Sequence, residues 1–343
     1  MNRTSPTTFP SPPAGKNGWP WTGNLQPVPE SQPNGKQWPK ISVITPNYNY
    51  GHYLEETIRS ILLQNYPNLE YIVIDGGSSD ESLSVINKYQ PWITHWESER
   101  DRGQAHAINK GFARATGDLL IWINSDDVLL PGALLSMARA YDAGGEKLVF
   151  ANVINFHDDG REEEVVQAGI RLENFIGIPE KDFTWHQPGM AVPRSFYLAA
   201  GGLDETLHYI FDWDWVCRLL IHNPDVAYVD AFVTRFRVHD ASKTGPGLLE
   251  CWMEAPQVVR RYNQYLPGIP ARKVAAFYRL RAASLYFCEH AGSEHYWNRC
   301  KGIGSLMRAV AEDVGIIMDG HFIRLLIRAL LPKSMYRSGL GSS

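Results

Sequence analysis

Short apolar runs alternate with amphipathic segments over the first half of the chain. Five of these runs, rich in β-branched and aromatic residues, are typical of buried strands. They lie at 41–45, 69–77, 94–98, 118–124 and 147–153. The segments between them carry apolar side chains every three or four positions and predict helices. These predicted helices cover 52–64, 78–89, 105–115 and 132–143.

Strands that alternate with helices predict βαβ units and therefore an α/β fold. In such a fold a mostly parallel central sheet is covered by helices on both faces, as a three-layer α/β/α sandwich. Ligands of these sheets bind beyond the carboxyl ends of the strands. Polar residues follow four of the predicted strands, in the loops 46–49, 75–80, 99–103 and 124–127. The sequence therefore predicts a binding site along this edge of the sheet.

The loops favour a metal over a glycine-rich phosphate cradle. Neither G-x-x-x-x-G-K-[ST] nor G-x-G-x-x-G follows the first predicted strand, whose loop reads TPNYNYGHYL. Asp126 and Asp127 instead end the fourth strand. Mg²⁺ or Mn²⁺ takes oxygen ligands and needs only one or two protein carboxylates when a diphosphate supplies others. The alternative for this pair of acids is a structural cap on the helix that follows Pro131.

Two long segments carry a family resemblance. ISVITPNYNYGHYLEETIRSILLQNYPNLEYIVIDGGSSDES (41–82) and ERDRGQAHAINKGFARATGDLLIWINSDDVLLPGAL (99–134) resemble family 2 glycosyltransferases, particularly bacterial enzymes that build surface polysaccharides and exopolysaccharides. The resemblance runs from about Ile41 to about Thr244 and implies a GT-A fold. It also implies an inverting, metal-dependent sugar transfer from a nucleoside diphosphate sugar, most readily a UDP-sugar, to a saccharide or lipid-linked saccharide.

The resemblance implies a donor site on the four loops. Thr45, Pro46 and Tyr48 would line the base, and Asp75 would accept a hydrogen bond from it. The D-R-G-Q stretch would lie near the ribose, diphosphate and sugar through Asp101, Arg102 and Gln104. The N-S-D-D run takes the place of the family's D-x-D motif, so Asp126 and Asp127 would contact ribose or metal. Asn124 stands where the first aspartate often lies, which leaves open which of the three side chains binds the metal.

The resemblance also implies an acceptor site within TWHQPGMAVPRSFYLAAGGLDETLHYIFDWDWVCRLL (184–220). Asp212 matches the catalytic base best, and Asp214 is the neighbouring candidate. Trp213, His186 and Gln187 are candidates for acceptor contacts, although His186 is equally compatible with a role in closing a turn. His239 matches a histidine that reaches metal or phosphate, with a structural hydrogen-bonded histidine as the alternative.

Two other functions remain open from the residues. A sugar-1-phosphate nucleotidyltransferase shares a nucleotide-binding α/β sheet, but a Gly-rich loop with Lys or Arg would be expected after its first strand, unlike TPNYNYGHYL. A non-catalytic scaffold that binds nucleotides or carbohydrates would keep the loops without turnover. Hydrolysis of a donor with Mn²⁺ would separate the scaffold from an enzyme.

Composition changes outside the resemblance and suggests three regions. Residues 1–40 hold nine of the 22 prolines and predict a leader that is extended or weakly docked, with Trp19, Trp21 and Trp38 as its anchors. Residues 41–247 would form the catalytic domain, with a nucleotide-sugar half (41–130) and an acceptor half (131–247). Residues 248–343 would form a helical C-terminal region.

Charge excludes one class of partner and suggests another. With 33 basic and 37 acidic residues the net charge is -4, which removes the usual electrostatic argument for nucleic-acid binding. The last 45 residues nevertheless carry seven basic and three acidic residues. Within them, 321–333 predicts a basic amphipathic helix that either lies on an anionic membrane or packs on the protein.

Localisation follows from the composition of the chain and from its N-terminus. The four cysteines form no C-x-x-C pair, and MNRTSPTTFPSPPAG lacks the apolar core of a signal peptide. We therefore expect a cytoplasmic enzyme, with peripheral attachment to the inner face of the plasma membrane as the open extension.

Overall fold

The computed structural model describes residues 9–22, 28–142, 145–222, 224–239, 244–266, 268, 270–288 and 296–330. The chain divides into two compact units. The first comprises residues up to 170 together with 182–239, and the second comprises 171–181 together with 240–343. This division lies at 239/240, whereas the sequence suggested a boundary after residue 247.

The first half of the sheet in the first unit is parallel. It contains β1 (Ile41–Asn47), β2 (Leu69–Asp75), β3 (His95–Ser98) and β4 (Leu119–Trp122) in the spatial order β3-β2-β1-β4. All three neighbouring pairs are parallel. Every residue of β1 and β4 is buried, as the continuous apolar runs predict for strands that helices cover on both faces.

The second half of the sheet mixes both strand directions. It contains β5 (Val128–Leu129), β6 (Leu148–His157), β7 (Glu162–Val165), β8 (Met190–Pro193) and β9 (Val226–Val238). The order continues from β4 as β8-β6-β9-β5, with β7 on β6, so that nine strands form one sheet within the described residues. β8 is antiparallel to both β4 and β6, while β9 runs parallel to β6. The antiparallel pairs of the described sheet therefore lie in this second half.

Four helices of the first unit correspond to the predicted ones: α1 (Gly51–Leu62), α2 (Ser82–Tyr89), α3 (Gln104–Arg114) and α4 (Ala133–Asp142). This unit also contains α6 (Arg194–Ala200) and α7 (Phe211–Leu220). Fully buried Leu54, Ile58 and Ile61 of α1 belong to the main core. On α3, a Cβ at Gly111 would lie 2.4 Å from Ile44 of β1, so this helix packs too closely on the sheet for any side chain there.

A buried carboxylate joins the amino ends of these strands. Glu70 of β2 accepts hydrogen bonds from Lys40 Nζ at 2.7 Å, Ser42 Oγ at 2.5 Å and the Thr116 backbone N–H at 2.7 Å. Burial opposes ionisation of Glu70, but these bonds outweigh it and lower the pKa of the carboxyl to about 2.

The described leader residues pack on the first unit. Trp38 is 5% exposed and is part of the main core, and Phe9 packs against the same core. The Phe9 ring also lies 5.5 Å from Tyr89 and 5.4 Å from Trp92, centroid to centroid. The proline content of residues 1–40 predicted an extended or weakly docked leader. Aromatic rings supply the buried area instead.

The second unit is helical. Its α-helices are α5 (Leu172–Ile176), α8 (Thr244–Tyr262), α9 (Ala271–Cys288), α10 (Tyr296–Glu312) and α11 (Gly320–Leu330). Its core is made of Leu280, Ala283, Leu306, Ala309, Phe322 and Leu325. Within the described parts of the chain, none of the helices combines the length and hydropathy needed to cross a bilayer.

Candidate functional site

Parallel pairing brings the predicted loops to one edge of the sheet. Asn47 and Asp75, the last residues of β1 and β2, lie opposite each other in the strand register. The N-S-D-D run follows β4, which is the other neighbour of β1. The end of β9 also reaches this run, since the ring of His239, one residue past β9, contacts Asp126. The resulting candidate site combines residues that lie up to about 190 positions apart in the sequence.

Asp126 and His239 form a polar pair at this edge. Nε2 of His239 lies 3.2 Å from Oδ2 of Asp126. The side chains are 5% and 14% exposed for His239 and Asp126 respectively, so both are nearly buried while the carboxylate keeps some access to solvent. The rings of Tyr50 and Tyr53 lie 5.8 and 5.2 Å from the imidazole, centroid to centroid. The pair is therefore held in a mostly aromatic surrounding.

Asp127 occupies a different environment from its neighbour. Its carboxylate is fully buried and accepts the Arg237 backbone N–H at 3.1 Å and Asn124 Nδ2 at 3.2 Å. Burial raises the pKa of this carboxyl well above its usual range, and the adjacent Asp126 carboxylate raises it further. A metal bound by Asp127 would require these hydrogen bonds to open, so its predicted role as a metal ligand stays a prediction.

Arg237 supports the N-S-D-D run and was missed by the sequence analysis. Its Nε donates to the Asp126 carbonyl at 3.1 Å, and its Nη2 donates to Glu56 at 2.8 Å. The guanidinium also lies 4.5 Å from the Tyr53 ring centroid. The signal that could have indicated Arg237 is its place two residues before His239, since alternate residues of a strand share a face.

Helix α1 holds the same run from another direction. The Thr57 hydroxyl lies 2.9 Å from the Ser125 carbonyl and 2.7 Å from the Asp127 carbonyl. Thr57 is fully buried. The backbone of the run is therefore fixed by two elements, α1 and β9, which lie far apart in the sequence.

The Asp126–His239 pair fits a divalent ion that shares its ligands with a diphosphate. Among the described residues, no set of three or more His, Cys, Asp or Glu side chains is arranged to hold a metal. Two ligands at about 2.1 Å and a right angle would lie about 3 Å apart, which is close to the observed 3.2 Å. Mg²⁺ normally leaves its other positions to water and phosphate oxygens. The chemistry of this donor set is thus compatible with the predicted Mg²⁺ or Mn²⁺.

Asp75 organises the loop that follows β2. Its carboxylate accepts hydrogen bonds from Asn47 Nδ2 at 2.7 Å, the Ser78 and Ser98 hydroxyls at 2.5 Å each, and the Gly77 N–H at 3.1 Å. The residue has no exposed surface. A hydrogen bond from a nucleotide base to Asp75 would require one of these bonds to open, so that predicted contact stays a prediction.

Tyr48 is the most accessible of the residues predicted to line the base. It is 60% exposed, directly after β1. Pro46 is buried, and Thr45 is fully buried with its Oγ1 3.1 Å from the Tyr71 hydroxyl. Of these three residues, Tyr48 therefore offers the free aromatic face, while the other two support the strand from which it projects.

The D-R-G-Q stretch connects the donor loops to the acceptor segment. Gln104 donates to Asn124 at 2.9 Å. Arg102 pairs with Glu205 through Nε at 3.0 Å and Nη2 at 2.6 Å, although its side chain is 67% exposed. Asp101 is half-buried and accepts the backbone N–H two residues later at 2.8 Å. The structure therefore gives Arg102 a carboxylate partner, and a phosphate would compete with Glu205 for it.

A reciprocal backbone contact fixes the acceptor segment on α3. Asn109 donates to the Leu203 carbonyl at 3.0 Å, and its own Oδ1 accepts the Leu203 N–H at 2.7 Å. The same amide donates to Glu205 at 3.1 Å. The loop that precedes α7 is thus tied to α3, the helix that begins with Gln104.

The two acidic candidates on α7 differ in exposure. Asp212 is half-buried, and its Oδ1 accepts the Trp213 N–H at 2.7 Å. Asp214 is fully buried and pairs with Arg218 one helical turn later, with Nε at 3.0 Å. Trp213 is 8% exposed. The geometry therefore favours Asp212 as the reactive carboxylate and Asp214 as a structural one, because a general base must reach its substrate.

His186 and Gln187 have mainly structural contacts. Gln187 is 7% exposed and donates to the Trp122 carbonyl at 3.1 Å. The backbone N–H and carbonyl of His186 pair with the Gln167 side chain at 2.9 and 2.7 Å. Part of His186 reaches solvent, yet burial of the ring lowers its pKa to about 4, so the imidazole is neutral at pH 7. Their predicted contacts with an acceptor stay predictions.

Comparisons with known proteins agree with the resemblance. The profile of "Glycosyl transferase family 2" matches residues 42–197. An uncharacterised glycosyltransferase of Rickettsia prowazekii (strain Madrid E) is 35% identical over 217 residues, which are 61% of this chain and 67% of that protein. This chain belongs to the family 2 glycosyltransferases. Membership of this family favours the predicted glycosyltransferase over the sugar-1-phosphate nucleotidyltransferase and the non-catalytic binding scaffold.

Other curated relatives of this glycosyltransferase match over shorter lengths. The GalNAc(5)-diNAcBac-PP-undecaprenol beta-1,3-glucosyltransferase of Campylobacter jejuni is 33% identical over 42% of this chain and 47% of its own length. An uncharacterised glycosyltransferase of a Nostoc strain is 34% identical over 38% of this chain. This chain spans only 40% of the Nostoc protein, and 34% of two relatives from Mycobacterium tuberculosis.

Solved structures confirm the predicted GT-A fold class for this glycosyltransferase. S. aureus TarS 1-349, in complex with UDP-GlcNAc, aligns with a TM-score of 0.61 at 15% identity and covers 87% of this chain and 90% of that one. The mannosyltransferase PcManGT from Pyrobaculum calidifontis, in complex with GDP-Man and Mn²⁺, aligns with a TM-score of 0.54 at 16% identity over 89% of each chain. These likenesses establish the fold.

Proposed function

We propose that this glycosyltransferase is inverting and uses a divalent metal. In this proposal it moves a sugar from a nucleoside diphosphate sugar, with UDP-sugars as the first donors to test, to a saccharide or lipid-linked saccharide in polysaccharide biosynthesis. The single observation that carries the proposal is the Asp126–His239 pair, 3.2 Å apart, on the edge where the donor loops meet. The complexes of TarS with UDP-GlcNAc and of PcManGT with GDP-Man and Mn²⁺ support the donor class.

In this proposal a few side chains bind the parts of the donor. The exposed ring of Tyr48 would stack on the base, since aromatic faces bind planar rings through dispersion and quadrupole terms. Asp126 and His239, and not the buried Asp127, would hold Mg²⁺ or Mn²⁺. When bound, that ion would neutralise charge on the leaving diphosphate. Arg237 would keep Asp126 in place through its bond to the Asp126 carbonyl.

The transfer step needs one base on the acceptor side. A carboxylate oxygen of Asp212 would take the proton of the acceptor hydroxyl. As the proton leaves, the oxygen of the acceptor hydroxyl would form a bond to the anomeric carbon. The bond from this carbon to the diphosphate oxygen breaks on the opposite face, and the electron pair leaves with the diphosphate. Attack from the face opposite the leaving group inverts the anomeric configuration, by the same geometry as inverting glycoside hydrolysis.

A donor panel followed by product analysis tests this function. Thermal shifts of the chain with UDP, GDP, CDP and dTDP, each with Mn²⁺, would identify the base, because a bound ligand stabilises the folded state by mass action. Turnover of the matching α-linked sugar nucleotide would then be followed by NMR of the product anomer. A β-linked product supports the proposal. An α-linked product, or equal turnover in EDTA and in Mn²⁺, would overturn its mechanism.

The second unit is proposed to place the enzyme at an anionic membrane, at the inner face of the plasma membrane. Part of the apolar face of α11 cannot contact a membrane, because Phe322 and Leu325 are buried in the core of the unit. A different apolar set is exposed: Val314 is 69% exposed, Met318 84% and Ile323 44%. Exposed Arg308 and Arg324 lie near these residues in the sequence and supply positive charge for anionic headgroups. The side chains of 327–330, which belong to the predicted amphipathic helix, lie outside the described residues.

Flotation with vesicles of phosphatidylglycerol and phosphatidylcholine tests this attachment. We expect the full chain to float and a Met318→Asp, Ile323→Asp double variant to stay in the pellet fraction. Tyr265→Asp is the matched control, since Tyr265 is 46% exposed in the same unit but outside the 308–324 segment. Equal flotation of all three proteins, or flotation of none, would contradict the proposal.

A further inference from the structure

A buried arginine of α1 ties this helix to the leader. Arg59 is 3% exposed, and its guanidinium donates to three leader carbonyls: Pro10 at 2.7 Å, Pro20 at 3.2 Å and Trp21 at 3.2 Å. It also donates to the Tyr89 hydroxyl at 3.0 Å. A buried charge is tolerated only when its donors are satisfied, so the leader residues 9–22 are an integral partner of α1. We call residues 9–22 the leader clamp.

The leader clamp also holds the strand that follows the N-S-D-D run. Nε1 of Trp19 donates to the Leu129 carbonyl at 2.6 Å, across 110 residues of sequence. The N–H of the same Leu129 donates to the Ser60 hydroxyl of α1 at 3.0 Å. Leu129 lies in β5, three residues after Asp126. This short strand is therefore fixed through its carbonyl by the leader clamp and through its N–H by α1.

Helix α1 passes this constraint on to the proposed metal site. Within four residues it carries Glu56, which pairs with Arg237, Thr57, whose hydroxyl lies within hydrogen-bond distance of the Ser125 and Asp127 carbonyls, and Arg59, which bonds the leader clamp. The leader clamp and the N-S-D-D run thus share one rigid helix as well as β5. Hydrogen-bonded positions around a metal site set the orientation of its ligands and alter its affinity.

We propose that the leader clamp is a positioning element for the Asp126–His239 pair, with Trp19 and Arg59 as its positioning residues. The inference rests on the proposed metal-dependent donor binding. In this proposal the affinity for metal and nucleotide depends on a proline-rich segment that lies outside the donor loops in the sequence. Loss of the Trp19 bond would leave β5 held by α1 and by its pairing with β9, and the position of Asp126 relative to His239 would be less tightly fixed.

A pair of tryptophan variants tests this role. Trp19→Phe removes the bond to Leu129, whereas Trp38→Phe removes an equivalent indole bond, at 2.9 Å, that stays within the leader at Pro29. We expect Trp19→Phe to weaken Mn²⁺-dependent binding of the nucleoside diphosphate, measured by calorimetry on the full chain, about fivefold to tenfold. Trp38 is the more buried ring, so Trp38→Phe should lower the melting temperature more and leave this affinity within about twofold.

The two readouts separate a positioning role from a merely structural one. Equal affinity for metal and nucleotide in Trp19→Phe and the wild type, or a loss of affinity that follows the loss of melting temperature in both variants, would overturn the inference. Arg59→Lys offers a second test, because lysine keeps the charge but lacks the planar fork that reaches three carbonyls, and it should weaken the same affinity. If the wild type itself binds no nucleotide with Mn²⁺, the proposed function fails instead.

Discussion

The two adjacent aspartates of the N-S-D-D run should respond in opposite ways to the same isosteric change. Asp126→Asn removes a charged oxygen that faces His239 at 3.2 Å. Its side chain keeps some exposure, so the amide can be solvated and the folded state should lose less than about 0.5 kcal/mol. Loss of a charged ligand should exceed the 10- to 100-fold cost of losing an outer partner, so we expect Mn²⁺ affinity to fall at least about 30-fold.

Asp127→Asn should instead affect folding. Both carboxylate oxygens accept N–H donors, from Arg237 and from Asn124, and an amide can accept only one of them. The other donor then faces an N–H group in a fully buried position, which costs about 1–3 kcal/mol. Because burial raises the pKa of this carboxyl, ionisation is already unfavourable and removal of the charge offsets part of that cost. We expect a net loss of about 1–2 kcal/mol and metal affinity within about threefold of wild type.

Calorimetric titration of Mn²⁺ in the presence of the nucleoside diphosphate measures the first quantity, and urea unfolding of the apo protein measures the second. His239→Gln serves as a further variant that should match Asp126→Asn. A larger loss of metal affinity in Asp127→Asn than in Asp126→Asn would refute the reasoning, since it would place the buried carboxylate on the metal.

Three further predictions concern the base, the pH dependence and the packing. Asp212→Asn should lower turnover about 10²- to 10⁴-fold with donor binding unchanged. Asp214→Asn should instead lower the free energy of unfolding by about 1–3 kcal/mol. A loss of turnover in Asp214→Asn with unchanged stability would contradict this assignment of roles. Glu70, whose pKa is lowered to about 2 in the folded state, stabilises the protein above its unfolded pKa, and this stabilisation is lost as pH falls from about 5 to 2. Glu70→Gln should therefore lower the free energy of unfolding by about 1 kcal/mol at pH 7. Unfolding curves should show the difference between the variant and the wild type vanish near pH 2. Gly111→Ala should lower the free energy of unfolding by about 1–3 kcal/mol through its clash with β1. Gly304→Ala, with open space around its Cβ position in α10, should be neutral or stabilising by up to about 1 kcal/mol. Equal unfolding midpoints of the two variants would refute the close packing of α3 on β1.

The elements of the parallel half of the sheet could be predicted from the sequence because their signals are local. β1 begins at Ile41 and β2 at Leu69, as the apolar runs indicate, and α1 and α3 lie within three residues of their predicted limits. β8 and β9 were missed for a physical reason. β8 is buried throughout but only four residues long, which is too short to be told from a loop, and β9 is half-buried along most of its length and lacks the continuous apolar pattern of a covered strand.

The sequence predicted that the polar loops meet at one edge of the sheet, as they do, but not the contacts among their residues. Residues that follow parallel strands must meet at one edge, so the loops after β1, β2 and β4 were identified from spacing alone. Arg237 and Thr57 could not be found in this way, since their role depends on contacts with backbone carbonyls of the N-S-D-D run. Backbone contacts leave no residue-type signature in the sequence.

The sequence by itself determined the fold class, the edge at which the polar loops meet and the family, because strand and helix periodicity and motif order are properties of neighbouring residues. Only the tertiary structure decided that Asp126 keeps some access to solvent while Asp127 is fully buried, that Asp214 is buried against Arg218 while Asp212 is half-buried, and that the leader is bound through Arg59. The contacts of Asp126 with His239, of Asp127 with Arg237 and of Arg59 with the leader join residues 38 to 113 positions apart. The difference between Asp212 and Asp214 depends on burial within the packed unit. Exposure and partnership are set when distant segments pack, and a pattern of adjacent residues does not contain that information.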